Sequence, residues 1–179
     1  PVVGAKIDEP ALIALGKEGV LAMVCDSTNA MLTGHSPSEG ILYDNLLRYT
    51  LQAKGRVVVA CFGSNVARLH TLGRGAIEAR RYPALVGRSL HNYYRAAKVS
   101  GLWTLGKDFV EAQHLGYLPP KEVFAVVTGS QGETGAALSR LAAGSNRAME
   151  LEPGDTVIFS SRVIPGNEVS LQSLCASLE

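Results

Sequence analysis

No stretch of this sequence approaches the roughly 18 consecutive apolar residues that a membrane helix requires. The longest apolar runs resemble Arg56-Val57-Val58-Val59-Ala60-Cys61-Phe62, so no membrane partner is expected. An excess of one charge is also lacking: 17 Lys and Arg against 16 Asp and Glu leave a net charge of +1. No global field announces a nucleic acid, and any basic surface must be local. Cysteine is scarce. Cys25, Cys61 and Cys175 are widely spaced, and two of them lie inside apolar runs. They read as small buried residues of a reducing cytoplasm, not as a disulfide framework. There is no repeat, low-complexity tract, Walker A loop or G-x-G-x-x-G fingerprint, which weakens the case for a mononucleotide cofactor.

What is present is a globular balance, 46% hydrophobic and 18% charged over 179 residues. That length allows one domain with a real core, or one domain plus a fragment of another. Pro1 stands where an initiator methionine would, and Pro1-Val2-Val3-Gly4 has neither the basic start nor the apolar centre of a signal peptide. The sequence reads as a piece of a longer chain.

Short β-branched runs alternate with amphipathic stretches, the pattern of a parallel sheet covered by helices. The predicted strands are Gly19–Cys25, Arg56–Phe62, Pro83–Val86, Val123–Val127 and Thr156–Phe159. Three of these are apolar throughout, as strands buried on both faces should be. Leu42, Leu46, Tyr49 and Ala53 share one helical face, and so do Val66, Leu69, Gly73 and Ile77. Further helices are expected from about Ser89 to Ser100, from Thr134 to Ala142, and from near Glu168. Residues 101–120 are the least readable. The fold class is α/β: a three-layer, Rossmann-like domain whose mostly parallel sheet is flanked by helices.

Small polar residues recur where strands end. Cys61-Phe62 runs into Gly63-Ser64-Asn65, and Leu85-Val86 into Gly87-Arg88-Ser89. Val126-Val127 runs into Thr128-Gly129-Ser130-Gln131-Gly132, and Phe159 into Ser160-Ser161-Arg162. In an open parallel sheet these ends share one edge, where ligands bind. Helix N-termini, free backbone N–H groups and hydroxyls gathered there suit phosphate oxygens. Arg68, Arg88 and Arg162 add guanidinium donors able to grip a phosphate bidentately. Each turn alone is explained by helix capping; Ser130-Gln131-Gly132-Glu133 matches the S-x-x-E capping box, with Glu133 reaching back to the cap. On these grounds the ligand is a nucleotide, a sugar phosphate or an RNA backbone.

At Val24-Cys25-Asp26-Ser27-Thr28-Asn29-Ala30 the sequence resembles the DSTN segment of the ribonuclease J family. Members of that family are metallo-β-lactamase-fold nucleases with an inserted β-CASP domain. The resemblance continues through Ser38-Glu39, Phe62-Gly63-Ser64-Asn65-Val66-Ala67-Arg68-Leu69, Val86-Gly87-Arg88-Ser89 and Gly116-Tyr117-Leu118. It is strongest in Thr128-Gly129-Ser130-Gln131-Gly132-Glu133, Ala136-Ala137-Leu138-Ser139-Arg140 and Pro153-Gly154-Asp155-Thr156-Val157-Ile158-Phe159-Ser160-Ser161, and ends in Ile164-Pro165-Gly166-Asn167-Glu168.

The resemblance implies a β-CASP domain at 37–179, preceded by a lead-in, 1–36, from the metallo-β-lactamase domain. Asp26 matches the aspartate that bridges two zinc ions, a task suited to a carboxylate's two oxygens. Asp26-Ser27-Thr28-Asn29 also suits an Asx-type turn. Glu39 matches the acidic residue that opens the insertion and faces the catalytic site; Ser36-Pro37-Ser38-Glu39 also has the form of a capping box. Ser64, Asn65, Arg68, Arg88, Ser89, Ser130, Ser160 and Ser161 become candidate contacts to single-stranded RNA. Tyr93, Tyr94 and Trp103 are candidate base-stacking platforms, although aromatics on amphipathic helices are more often core.

The chain also departs from the family pattern. The H-x-H-x-D-H cluster is absent, and the four histidines, His35, His70, His91 and His114, lack zinc-ligand spacing. Where many relatives have histidine in S-N-V-H-R, this chain has Ala67. The expectation is therefore an RNA-clamping β-CASP domain, inactive and without tight zinc binding by itself. The whole enzyme would be a cytoplasmic, two-zinc 5′-exonuclease and endonuclease, a homo-oligomer whose β-CASP domain works against the metallo-β-lactamase domain of the same chain. The alternatives are a stand-alone Rossmann-like module for a nucleotide or sugar phosphate, and a β-CASP domain of a DNA-processing hydrolase.

Overall fold

A computed structural model of the chain describes residues 3–27, 30–31, 33–35 and 38–179. Its centre is a four-stranded sheet made of β1 (Val57–Ala60), β2 (Tyr82–Val86), β3 (Val123–Val127) and β4 (Thr156–Phe159). The strands lie in the order β2-β3-β1-β4, and every pairing is parallel. Val58 sits level with Ala125 on one side and Val157 on the other. Val57, Val58 and Val59 are all 0% exposed. Their β-branched side chains fill both faces, so the strand sequence needs no polar alternation.

Side-chain alternation along the strands divides the core into two layers. On one face Val58, Ala60, Ala125 and Val127 pack beneath α5 (Ala137–Ala142) and α6 (Glu168–Leu178), through Leu138, Leu141 and Leu174. On the other, Val57, Val59, Phe124 and Val126 pack beneath α3 (Val66–Glu78) and α4 (Arg88–Val99), through Leu69, Leu72 and Leu90. Helix α2 (Tyr43–Gln52) adds Leu46 to this second layer. β1 and β2 thus send the chain to one face, and β3 and β4 send it to the other. Because the two pairs interleave in the sheet, neighbouring strands diverge at their carboxyl ends, which opens the crevice where α/β folds bind ligands.

The opposite edge of the sheet is closed by Arg81, only 6% exposed. Its guanidinium donates to Ala53 O at 2.6 Å, Gly55 O at 2.8 Å and Val123 O at 3.2 Å. Burial lowers its pKa, but an arginine remains charged, so three backbone acceptors meet a fixed cation. The edge that carries Arg81 is therefore built for stability, which leaves the carboxyl edge for ligands.

Several expectations need correction. Gly19–Cys25 forms no strand: Leu21 and Val24 are fully exposed at 105% and 101%. An apolar run becomes a buried strand only when a sheet edge and two covering layers receive it, and here the segment is exposed along its length. A helix that the periodicity did not reveal, α1 (Glu9–Glu18), precedes it and buries none of its residues. Its start is nevertheless signalled: Asp8 accepts from Ala11 N at 3.0 Å, and a proline occupies the first turn. The expected Thr134–Ala142 helix begins only at Ala137, because Gly135 takes a positive φ of 74°. Of the cysteines, only Cys61 is buried; Cys25 is exposed and Cys175 half-buried. The expected boundary at Ser36–Pro37, the cap at Ser36, and Thr28 and Asn29 of the DSTN segment fall outside the described residues.

Candidate functional site

Four parallel strands put four loops on one rim, and these loops form two connected groups. The first group joins the loops after β1, β2 and β3. A methyl group on Gly63 would lie 2.9 Å from Ser89 Oγ, and one on Gly87 would lie 2.6 Å from the Thr128 side chain. Glycine is needed at both positions for the loops to touch. Asn65 caps α3, its Oδ1 accepting from Arg68 N at 2.9 Å. Helix α4 differs: its N-cap is Gly87, and among the described residues no side chain caps its first N–H groups. Those orphan donors stand beside Arg88 and Ser89, both exposed, at the positive end of the helix dipole. Ser64 is exposed nearby on the sequence-adjacent turn of β1.

The second group joins the loops after β3 and β4. Gln131, 4% exposed, binds four partners through one amide. Its Nε2 donates to Ser161 Oγ at 3.2 Å and to Arg162 O at 2.8 Å. Its Oε1 accepts from Ile164 N at 2.8 Å and Asn167 Nδ2 at 3.4 Å. Ser161 Oγ in turn donates to Ser130 O at 3.3 Å. The Ser160–Arg162 turn and the approach to α6 are thereby locked to the turn after β3, with Arg162 exposed at the surface. Sequence reasoning missed Gln131. The signal was its position inside the small-residue turn, where a long amide has no other reason to be.

The turn Thr128–Glu133 is not the helix cap that its S-x-x-E pattern suggests. Helix α5 starts at Ala137, where Thr128 Oγ1 accepts from Ala137 N at 3.2 Å. Glu133 Oε2 accepts from Gln131 N at 2.9 Å and so closes the turn on itself. Ser130 is 1% exposed, and its Oγ is buried without a hydrogen-bond partner among the described residues. A buried hydroxyl left unpaired costs about 1–3 kcal/mol, and at 1% exposure Ser130 is enclosed within the loops rather than open on the rim.

Arg68 is committed to the protein itself. Its Nε and Nη2 face the two carboxylate oxygens of Glu39, the second at 3.1 Å. Its Nη1 donates to Ser160 O at 2.6 Å and Ser160 Oγ at 2.5 Å. A guanidinium used on both sides has no free edge to offer a phosphate. It instead straps the 3₁₀ turn Glu39–Leu42 to the end of β4. Ser38 caps that turn, its Oγ accepting from Gly40 N at 3.3 Å. Of the proposed stacking residues, Tyr94 and Trp103 meet edge to face at 4.8 Å inside a cluster with Phe109 and His70. Tyr93 is 45% exposed.

Asp26 lies in the exposed segment that precedes Glu39. Among the described residues, no group of three or more His, Cys, Asp or Glu converges on a common point. One carboxylate does not make a zinc centre, which takes four donors or three and a water. The residues described here do not fit a metal site by themselves.

Comparison with known proteins places the chain in a family. A family model described as "Ribonuclease J, beta-CASP domain" matches residues 54–178, which takes in all four strands. Ribonuclease J of Sinorhizobium meliloti is 40% identical over 174 residues, 97% of this chain and 31% of that protein. Ribonuclease J of Mycolicibacterium smegmatis is 39% identical over 179 residues, 99% of this chain and 32% of that protein. Ribonuclease J of Helicobacter pylori is 36% identical over 178 residues, 97% of this chain and 25% of that protein. The chain thus spans about a third or less of the length of the curated relatives it matches. A stand-alone nucleotide-binding module is not favoured, and the chain belongs to the β-CASP domains of the ribonuclease J family.

Proposed function

We propose that this chain is the RNA-clamping domain of a cytoplasmic, zinc-dependent ribonuclease of the ribonuclease J type, acting as a 5′-exonuclease and endonuclease. The observation that carries the reading is the carboxyl rim. There the uncapped N-terminus of α4, with exposed Arg88 and Ser89, shares an edge with Ser64, Asn65 and the Ser160–Arg162 turn. Backbone N–H groups, hydroxyls and two exposed guanidiniums supply donors that match a run of phosphates. None of these groups reads a base edge, so binding is sequence-tolerant and weakened by salt.

This chain's residues bind and orient the RNA. Gln131 holds the Ser160–Arg162 turn against the turn after β3, and Arg68 holds Glu39 to the same turn. Zinc ions held by the whole enzyme would supply an activated water for attack on the phosphodiester. Asp26 is the one residue described here that the family resemblance assigns to them. The remaining donors belong to the metallo-β-lactamase domain, and the exposed apolar side chains of Ile13, Leu21, Met23 and Val24 are the surface it covers. The whole enzyme is a homo-oligomer in this reading.

A direct test sets single-stranded RNA against single-stranded DNA of the same sequence in competition for the full-length protein. The reading expects the RNA to be preferred and cut. Preference for DNA, or RNA bound and left intact with zinc supplied, overturns it.

A further inference from the structure

We propose that the groove between α2 and the open edge of β4 is a nucleobase site, which takes one base of the strand whose phosphates lie on the rim. The proposal rests on the RNA reading above and names a second element of recognition within it. The groove has a volume of about 560 Å³, within the range of small-molecule sites and ample for one nucleotide. Its walls are the apolar side chains of Ile41, Leu42 and Leu46 on one side and Ile158 and Phe159 on the other. Its mouth is the Ser160–Arg162 turn, so a base inside remains tied to a phosphate at the rim.

Three features suit a base better than a purely apolar guest. First, among the described residues β4 is an edge strand with only β1 beside it. Thr156 N donates to Arg56 O at 2.8 Å and Ser160 N to Ala60 O at 2.8 Å. In a parallel ladder the N–H and C=O of one residue leave on the same side, and the side alternates along the strand. Phe159, out of phase with Thr156 and Ser160, turns its backbone donor and acceptor away from β1, toward the groove. A donor and acceptor side by side match the edge of a base. Second, Tyr49 lines the groove with its ring 49% exposed and Arg48 stacked at 5.0 Å from the ring centre. That is a polarised aromatic platform at the end away from the rim. Third, Asn45 lines the same wall with its Oδ1 held by Arg48 Nη2 at 3.3 Å, which leaves its amide hydrogens for a ligand. The charge of Arg68 is already balanced by Glu39, so the groove favours a neutral, flat, hydrogen-bonding group over a phosphate.

The test uses the full-length protein and a short single-stranded RNA in which each position in turn is made abasic. For the wild type, removal of the base at one position is expected to weaken binding about tenfold, the usual value of one stacked base. With Tyr49→Ala, and independently with Asn45→Ala, that position is expected to lose its sensitivity, so that abasic and intact RNA bind within about twofold. Both side chains are exposed, so both variants retain the fold. If every abasic RNA loses the same factor in wild type and variants, the groove holds no base, as when another part of the protein fills it. If the wild type binds neither RNA, the RNA reading fails first.

Discussion

The α-carbon of Gly132 lies directly against the backbone of Ser170: a methyl group there would sit 2.6 Å from the Ser170 carbonyl carbon and 2.7 Å from its oxygen. The second glycine of the Thr128–Gly132 turn is thus explained by the first turn of α6, which presses on it. Gly132 also has a φ of 75°, so two separate reasons exclude a side chain. Gly135 provides the comparison, with a φ of 74° and nothing within 4 Å of its would-be methyl. Gly135→Ala is expected to lose about 1–2 kcal/mol, the left-handed backbone cost alone. Gly132→Ala is expected to lose at least about 2 kcal/mol more through the clash. Urea denaturation of the two variants reads this difference, and equal losses would mean that α6 does not bear on the turn.

Gln131 can be dissected because its four bonds divide by chemistry. In Gln131→Glu the carboxylate still accepts from Ile164 N and Asn167, but it cannot donate to Ser161 Oγ or Arg162 O. The expected result is about 2 kcal/mol of lost stability. RNA affinity should fall more than it does in Ser177→Ala, which cuts the bond to Leu174 O at the far end of α6. Denaturation and fluorescence anisotropy on the same samples separate the two effects.

The pH dependence of stability follows from three groups, of which Cys61 is buried and Tyr94 and His70 are half-buried. Burial pushes the Cys61 thiol up to about 12 from the usual 9.0. Between those values the unfolded chain releases a proton that the folded one keeps, so stability falls as pH rises above about 9. Tyr94 shifts upward too, by burial first and then by its bond to Asp108, and adds to the same alkaline loss. His70 shifts downward from 6.5, chiefly by burial, with the charge of Arg74 second. Below that value the unfolded chain binds a proton that the folded one resists, so stability also falls as pH drops. Thermal melts should peak near neutrality. In the native state iodoacetamide should label exposed Cys25 and spare Cys61, and labelling of Cys61 without unfolding would contradict its burial.

How far the sequence could be read depended on whether each signal was local. Val123–Val127 and Thr156–Phe159 came out with the expected ends, because apolar β-branched runs bounded by turn residues carry their own evidence. The carboxyl rim was legible for the same reason, since parallel strands put every strand-end turn on one edge. Gly19–Cys25 was misread because the strand pattern states only that a segment is fit for burial and says nothing of what would bury it. Arg68 was misread differently. A lone arginine beside a small-residue turn suits a phosphate equally well as a distant carboxylate, and its partner Glu39 lies 29 residues away. The capping box at Ser130 failed because Glu133 closes the turn on Gln131 N and Gly135 takes a positive φ, so the helix starts only at Ala137.

The central claim is that the exposed guanidiniums of the rim neutralise RNA phosphates, and the salt dependence of RNA binding measures this most directly. The full-length protein and its Arg88→Ala, Arg162→Ala double variant would be titrated with one single-stranded RNA across a salt series. The slope of log affinity against log salt should become shallower by about 0.7 for each arginine removed, with weaker binding at low salt. An unchanged slope and affinity in the double variant would contradict the account.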